Sequence, residues 1–538
     1  MASTVFWKSV VDSWERGRAA LTAAHEGVSP SCPGRTTPYG FLVLLTALLL
    51  VALAAPAQTT SGQSRWTTPY PVSESNGGDW FPDLAVNAAG TVYVIWGSGQ
   101  QRVDQRSGIK TDDDLLRYRE LRGQTWSPVN DIVATCVGGY TVRNSLVVGP
   151  DGQLHVLVRT CVRVSSLNAP ADAAWSAQHW SRPLSLGESY YSALAVDQHG
   201  TLHAVYNEAI PYSQSKANLA SEIMYRRSVD GGQTWTVRTN LAQLPDGDER
   251  MQILVDQHDR VHVVWDHGSD WYLGIYAPEY SVYRRSDDGG LTWREQTHFQ
   301  LANTPVFQVS LGLDRAGNPF VVYRSALDDS LYFQHSLDGG DTWSDPAVIP
   351  YVRARPPRES ALDRYTLATD SLNHLHLLVA GFLNDSLSLR PQLLHLTWDG
   401  QTWSPPEVVA ADATFPFWPR LVISGGNQLH AVWFSYTQQS GWGDRNVWYS
   451  TQTLDIPRDE ATPTLAVTAS PEAPAEQTQV PEAALVLLPT PTVPRTFRTL
   501  PPPPSTSLLP APLVGVGVVV GGLLLGVLTE IARKAQEL

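Results

Sequence analysis

One phrase, L-A-V-D-x-x-G-x-L-H-V-V-W, recurs in variant form seven times along the 538 residues and constrains the fold more than any other feature. Its copies run Leu84–Trp96, Leu146–Val158, Leu194–Tyr206, Ile253–Trp265, Leu311–Tyr323, Leu367–Val379 and Leu421–Trp433. Each has β-branched or alternating apolar residues on both sides of an Asp, Gly or Asn turn, which reads as a hairpin of two short strands. Spacings of roughly 50 to 60 residues leave room for a second hairpin per unit, and a repeat of four-stranded sheets at that period is how a β-propeller is written.

A second phrase supplies the other hairpin. It reads RRSVDGGQTW at Arg226–Trp235, RRSDDGGLTW at Arg284–Trp293 and QHSLDGGDTW at Gln334–Trp343, with shorter copies ending at Trp126 and Trp403 and a degenerate one near Trp180. The Asp accepts from turn amides, the Gly supplies φ > 0, and the Trp buries a large ring against the next sheet. Asp230, Asp288 and Asp338 are therefore structural. The pattern S-x-D-x-G-x-T-W resembles the Asp-box of the sialidase (BNR) superfamily. Sialidases have six blades, whereas this chain has seven hairpins, of which the last lacks a closing Trp phrase. Arg65–Val72 (RWTTPYPV) resembles the missing strand, and Trp66 brings the closing aromatics to seven. The expectation is an all-β, seven-bladed propeller over residues 64–455, closed by its N-terminal strand.

The flanks read differently. Phe41–Ala55 is an apolar run preceded by Arg16, Arg18 and Arg35 and followed by Ala55-Pro56-Ala57, so residues 1–57 read as a signal peptide or an uncleaved signal anchor. Residues 456–512 are dense in Pro, Thr and Ala and read as an extended stalk. Leu513–Leu528 is uncharged, and residues 513–532 read as a transmembrane helix with 533–538 as a cytoplasmic tail bearing Arg533 and Lys534. The expected setting is the cell membrane, with an extracellular, monomeric head on one C-terminal anchor. Cys32 lies before the signal; Cys136 and Cys161 would form a bridge or remain buried thiols.

A formal net charge of −14 argues against nucleic acid as a partner. Aligning the hairpins on the Gly of the first turn places Phe81, Arg143, Tyr191, Arg250, Gln308, Arg364 and Trp418 in one column beside the expected central channel. Loops leaving the second strands add Arg159, Glu208, Asp266, His267 and Arg324 to the same face, and Glu249 precedes Arg250. Arg offers a planar, permanently charged fork to carboxylates. Trp80, Trp271, Phe417, Trp418 and Trp442 are either packing residues or platforms for sugar rings. His155, His203, His262, His376 and His430 repeat from unit to unit, so they spread round a ring instead of converging on a metal. No cofactor and no metal is expected.

Tyr191-Ser192-Ala193-Leu194 with Tyr206-Asn207-Glu208 is similar to the tyrosine blade of sialidases. The resemblance implies an exo-glycosidase acting on sialic-acid-type sugars, with Tyr191 as nucleophile, Glu208 or Glu249 as its base, Asp266 as acid, and Arg143, Arg250 and Arg364 as the carboxylate clamp. Two features depart from the family: the first unit reads Trp80-Phe81-Pro82-Asp83 where sialidases have an R-I-P phrase, and Tyr191 lies in the third unit instead of the last. The alternative is a non-catalytic propeller that presents a rigid face to a polysaccharide or protein.

Overall fold

The computed structural model describes residues 65–459 except 74–77, 104–109, 136–142, 161–162, 171–179, 212–218, 245, 269–277, 356–364, 386–389, 411–414 and 437–444. The segments expected to be signal, stalk, transmembrane helix and tail lie outside the described residues, as do Cys136, Cys161, Trp271, Arg364 and Trp442. Among the described residues every regular element is a strand, and no helix is long and apolar enough to cross a membrane.

The repeated phrase folds as its chemistry dictates. In the third unit, Ser192–Val196 pairs antiparallel with Leu202–Pro211, from Ser192 opposite Tyr206 to Val196 opposite Leu202. The turn between them is held by Asp197, whose Oδ1 accepts the amides of His199 (2.9 Å) and Thr201 (2.7 Å). Gly200 takes φ +83°, a conformation that suits a residue without Cβ. The chain continues antiparallel through Leu219–Ser228 to Thr239–Asn240. Similar four-strand runs begin at Gly78–Val86, Asn144–Val148, Asp248–Val255, Val306–Leu313 and Thr366–Thr369. The last run has only Phe415–Ser424, Gln428–Tyr436 and Arg445–Thr453 from its own stretch of chain. Its fourth strand is N-terminal: Tyr70–Pro71 lies antiparallel to Arg445–Thr453, with Tyr70 opposite Tyr449. The Thr67 amide donates to the Thr451 carbonyl (2.9 Å) and the Val72 amide to the Val447 carbonyl (2.8 Å). The whole is a β-propeller-like stack of antiparallel sheets.

Two sets of contacts tie successive runs together. On the outside, the closing aromatics sit edge-on against a ring in the third strand of the run before: Trp180 on Tyr118, Trp293 on Tyr225, Trp343 on Tyr283 and Trp403 on Phe333. Trp66 of the N-terminal segment meets His395 at 5.4 Å in the same way, and Trp126 of the first run meets Tyr449 of the last at 5.4 Å. On the inside, side chains of one first strand accept from amides of the next. Asp83 Oδ2 takes the Leu146 amide (2.9 Å), Ser145 Oγ the Leu194 amide (3.1 Å), Gln252 Oε1 the Leu311 amide (3.0 Å) and Thr366 Oγ1 the Leu421 amide (3.2 Å). Arg420 of the last run donates through Nε to Asp83 Oδ1 of the first at 2.8 Å.

The second phrase forms a self-contained turn. Asp230 Oδ1 accepts from Ser228 Oγ (2.7 Å) and from the Thr234 amide (2.9 Å), while Thr234 Oγ1 donates to Oδ2. These bonds hold the carboxyl well below its usual range, at about 2 for both Asp230 and Asp288. Gly290, at φ +87°, lies so close to the preceding run that a Cβ there would collide with Tyr225 Oη. The repeated histidines take part in buried relays. His203 Nδ1 is 2.7 Å from Tyr225 Oη and its Nε2 is 3.4 Å from Asp197 Oδ2; His262 stands likewise between Tyr283 (2.8 Å) and Asp256 (3.4 Å). His430 lies between Tyr449 Oη (2.7 Å) and Ser424 Oγ (2.8 Å). The histidine series is structural, as its repetition implies, and burial holds each of these rings neutral by lowering its pKa.

Candidate functional site

The residues of the aligned column come forward through a repeated backbone device. At Phe81, Arg250, Gln308 and Trp418 the first strand slips register against the second and φ turns positive: 53°, 57°, 58° and 52°. A bulge of this kind bends the strand and re-aims one side chain. A non-glycine residue in the left-handed region costs about 1–3 kcal/mol and persists only where its surroundings enforce it. Arg143 and Tyr191 occupy the same place without a bulge, directly before Asn144–Val148 and Ser192–Val196. Both are pinned through their carbonyls, Arg143 by the Arg159 amide (2.9 Å) and Tyr191 by the Asn207 amide (3.2 Å). Glu208, Asp266, His267, Arg159 and Arg324 were expected in loops after the second strands. They are instead strand residues: Asp266, His267 and Arg324 still pair with the first strand beyond its bulge, and Glu208 and Arg159 pair with the third strand.

Tyr191 and two of the three expected clamp arginines are brought together. Arg250 is hydrogen-bonded to the Tyr191 phenol and feels the charges of Asp266 and Glu249. Burial alone would lower the Arg250 pKa; these neighbours outweigh it and hold the guanidinium charged. Its Nε and Nη1 are buried and have no hydrogen-bond partner among the described residues. Arg143, only 2 % exposed, lies 3.7 Å above the Phe81 ring and 5.4 Å from the Tyr191 ring, with Trp418 at 5.8 Å. Its Nη2 donates to Tyr190 Oη at 3.2 Å. Burial pushes the Tyr191 phenol up, against the opposing pull of Arg143 and Arg250, so the hydroxyl stays protonated.

The carboxylates divide. Glu249 stands opposite Asp266 across the first and second strands of the fourth run, both beside Arg250. Asp266 also latches the fifth run: its Oδ2 accepts the Gln308 amide (2.7 Å), and its Oδ1 the Val309 amide (3.1 Å) and Ser281 Oγ (3.0 Å). Burial pushes Asp266 up while Arg250 opposes the shift. Glu208 is engaged elsewhere, with Oε1 3.5 Å from Arg238 Nη1. Burial raises its pKa as well, with Arg238 opposing.

The remaining candidates are placed as follows. Arg159 covers the Tyr190 ring at 4.7 Å. Arg324 is fully buried, donates through Nη1 to the Arg355 carbonyl (2.6 Å) and is ion-paired with Asp329. Trp418 is buried edge-on to Phe81 at 5.1 Å, and Phe417 lies under Arg355 at 3.8 Å. Trp80 lies under Arg445 at 5.1 Å. Sequence reasoning missed Tyr190, Tyr365 and Arg355. Tyr190 adjoins Tyr191 and was legible as its neighbour; Tyr365 reaches Gln308 Oε1 at 3.0 Å from beside the expected Arg364. Arg355 follows a fourth strand, where the repeat carries no signal.

Residues 160–409 match the family described as the BNR repeat-like domain. This bears out the resemblance to the sialidase superfamily read from the Asp-boxes. The match takes in Tyr190, Tyr191, Glu249 and Arg250; Phe81, Arg143 and Trp418 fall outside it. Among solved structures, a protein of unknown function from Dyadobacter fermentans is 13% identical, covers 73% of this chain and 100% of its own, and has a TM-score of 0.46. The NanB sialidase from Streptococcus pneumoniae is 13% identical over 72% of this chain and 70% of its own, at 0.42. A PL25 ulvan lyase is 11% identical over 72% and 94%, at 0.47. No curated protein matches the sequence.

Proposed function

We propose that the head is a seven-bladed propeller, held at the cell surface, that binds acidic glycans at the hub formed by Arg143, Tyr191, Glu249 and Arg250. The blade count is supported by the pairing of the N-terminal strand with the last run and by the Arg420–Asp83 bond between last and first. A hydrophobic signal before the head and an apolar run after the stalk support an extracellular head on a C-terminal anchor.

The observation that carries the binding reading is Arg250. A guanidinium in the hub, with two buried nitrogens that have no hydrogen-bond partner among the described residues, is incomplete as a structural element. A sugar carboxylate supplies the planar acceptor it lacks. The resemblance adds hydrolysis to binding: Tyr191 is the nucleophile, and Glu249, adjacent in chain to Arg250, is the base. The charged Arg143 and Arg250 flanking the phenol favour its ionised form at the moment of attack. The second reading, binding without turnover, draws on Asp266, whose oxygens hold backbone amides of the next run and leave the general-acid role without a dedicated group.

The experiment is methylumbelliferone release from a panel of sialosides and uronosides by the full chain, in parallel with binding to acidic and neutral glycans. The hydrolase reading expects turnover that Tyr191→Phe abolishes and Arg250→Ala lowers. Binding of acidic glycans without turnover selects the second reading. Equal binding of acidic and neutral glycans contradicts both.

A further inference from the structure

The hub does not end at Tyr191. From the fourth run to the second, charged and phenolic side chains alternate: Arg250 bonds Tyr191, Arg143 lies 5.4 Å from the Tyr191 ring and 4.9 Å from the Tyr190 ring, and Arg159 lies 4.7 Å from the Tyr190 ring. Three guanidinium groups and two phenols thus form one continuous row. Its second phenol is held as firmly as its first. The Tyr190 amide donates to Asn207 Oδ1 (3.2 Å), its hydroxyl accepts from Arg143, and its ring meets the Tyr191 ring edge-on at 4.7 Å. Arg143, Tyr191 and Arg159 are buried and Tyr190 and Arg250 half-buried, so the row opens to the surface at both phenol-bearing halves. The carboxylates that moderate its charge, Glu249 and Asp266, stand at the Arg250 end.

One acidic sugar at Arg250 would use only the half of this row around Tyr191. The other half repeats the same chemistry, a phenol between two guanidinium groups, one register further on. Resting on the acidic-glycan reading above, we propose that the row takes a chain with acidic groups on successive sugars: one acidic group between Arg250 and Arg143 beside Tyr191, and the next between Arg143 and Arg159 beside Tyr190. Arg143 is the shared element. Tyr190 holds the two guanidinium groups either side of the second acidic group, and Arg159 supplies that sugar's counter-charge. Two linked contacts bind far more tightly than one, because the second forms at the high effective concentration set by the first.

The test compares galacturonic acid, tetragalacturonate and neutral cellotetraose as ligands of the full chain by calorimetry. The unmodified protein is expected to bind tetragalacturonate at least about tenfold more tightly than the monomer and to leave cellotetraose unbound. Its affinity for the tetramer should also fall more steeply with added salt than its affinity for the monomer. Arg159→Gln and Tyr190→Ala should each remove the chain-length advantage and leave monomer binding within about twofold, while Arg250→Ala should weaken both ligands. Equal affinity for monomer and tetramer in the unmodified protein, or an advantage that survives Arg159→Gln, overturns the second subsite and leaves the first standing. No binding of either acidic ligand overturns the acidic-glycan reading and the subsite with it. The salt comparison needs no variant, so a fold defect in Arg159→Gln does not rescue the proposal.

Discussion

The outer belt and the inner hub are built from the same repeat and handle polar groups in opposite ways. In the belt, nearly the same arrangement returns run after run: an Asp holds a turn, a His leans on that Asp, and a Tyr from the third strand closes the relay, as in Asp197–His203–Tyr225 and Asp256–His262–Tyr283. The Asp-box turns likewise close on themselves. In the hub the repeating position holds Phe81, Arg143, Tyr191, Arg250, Gln308 and Trp418, and four of these carry positive φ. Repetition marks structure; on the proposed reading, variation with strain beside an unmet guanidinium marks the place where a ligand completes the molecule. The second run offers a contrast inside the belt itself. Gly149 and Ser166 stand where the third run has Asp197 and Tyr225, and His155 Nδ1 is buried without a hydrogen-bond partner among the described residues.

The comparison can be broken most severely at Asp83, which does the belt's kind of work from an inner strand. Asp83→Ala removes the acceptor for Arg420 Nε and for the Leu146 amide, and is expected to cost about 3 kcal/mol in chemical denaturation. A loss under about 1 kcal/mol would show that the bond between last and first runs matters little. Arg250→Ala should do the reverse. It is expected to leave denaturation midpoints unchanged or raised while lowering acidic-glycan affinity about 100-fold.

Glu222 sharpens the contrast through pH. It is fully buried, its Oε2 accepts the Gln243 amide at 2.7 Å, and burial together with nearby Asp248 pushes it up to about 7. A carboxyl raised in the folded state contributes stability below its unfolded value near 4.5, and that contribution fades as pH climbs through about 7. Relative to the parent, Glu222→Gln should therefore be near neutral at pH 5 and gain on the order of 2 kcal/mol at pH 8. A difference that does not vary with pH would assign Glu222 an ordinary carboxyl. The lowered histidines act in the opposite direction below pH 6.5, which is why the readout is the difference between the two proteins and not the slope of either one.

The smallest effects test the belt. Tyr283→Phe removes the partner of His262 Nδ1 and should cost about 1 kcal/mol. Ser166→Tyr offers His155 the partner that other runs provide and should gain a similar amount, since Gly232 leaves room there as Gly290 does for Tyr225. Melting curves of the two variants check both. A loss in Ser166→Tyr would show that the second run has closed over the missing ring.

How much of this was legible follows the same division. The hairpins, the Asp-box turns and the structural histidines could be read because each repeats a local pattern with a nearby cause, and the pairing of Arg65–Val72 with the last run because that run lacks its own fourth strand. The convergence of Arg143, Tyr191 and Arg250 was legible only through alignment of units, which fixes position round an axis but not side-chain direction. The partners of Asp266 and Glu208 were not legible. They depend on the Gln308 amide and on Arg238, and on strands longer than the turn signals imply. Tyr190 and Arg355 stand at positions where the repeat has no fixed residue type.

The central claim is that Arg250 is the unfinished part of the hub. A crystal structure of the protein with an acidic oligosaccharide tests it most directly. The account predicts a sugar carboxylate within hydrogen-bonding distance of Arg250 Nε or Nη1, with Tyr191 still bonded to the same guanidinium. A glycan seated away from Arg250, for instance in the cleft lined by Asn87, Asp151 and Gln198, would contradict it.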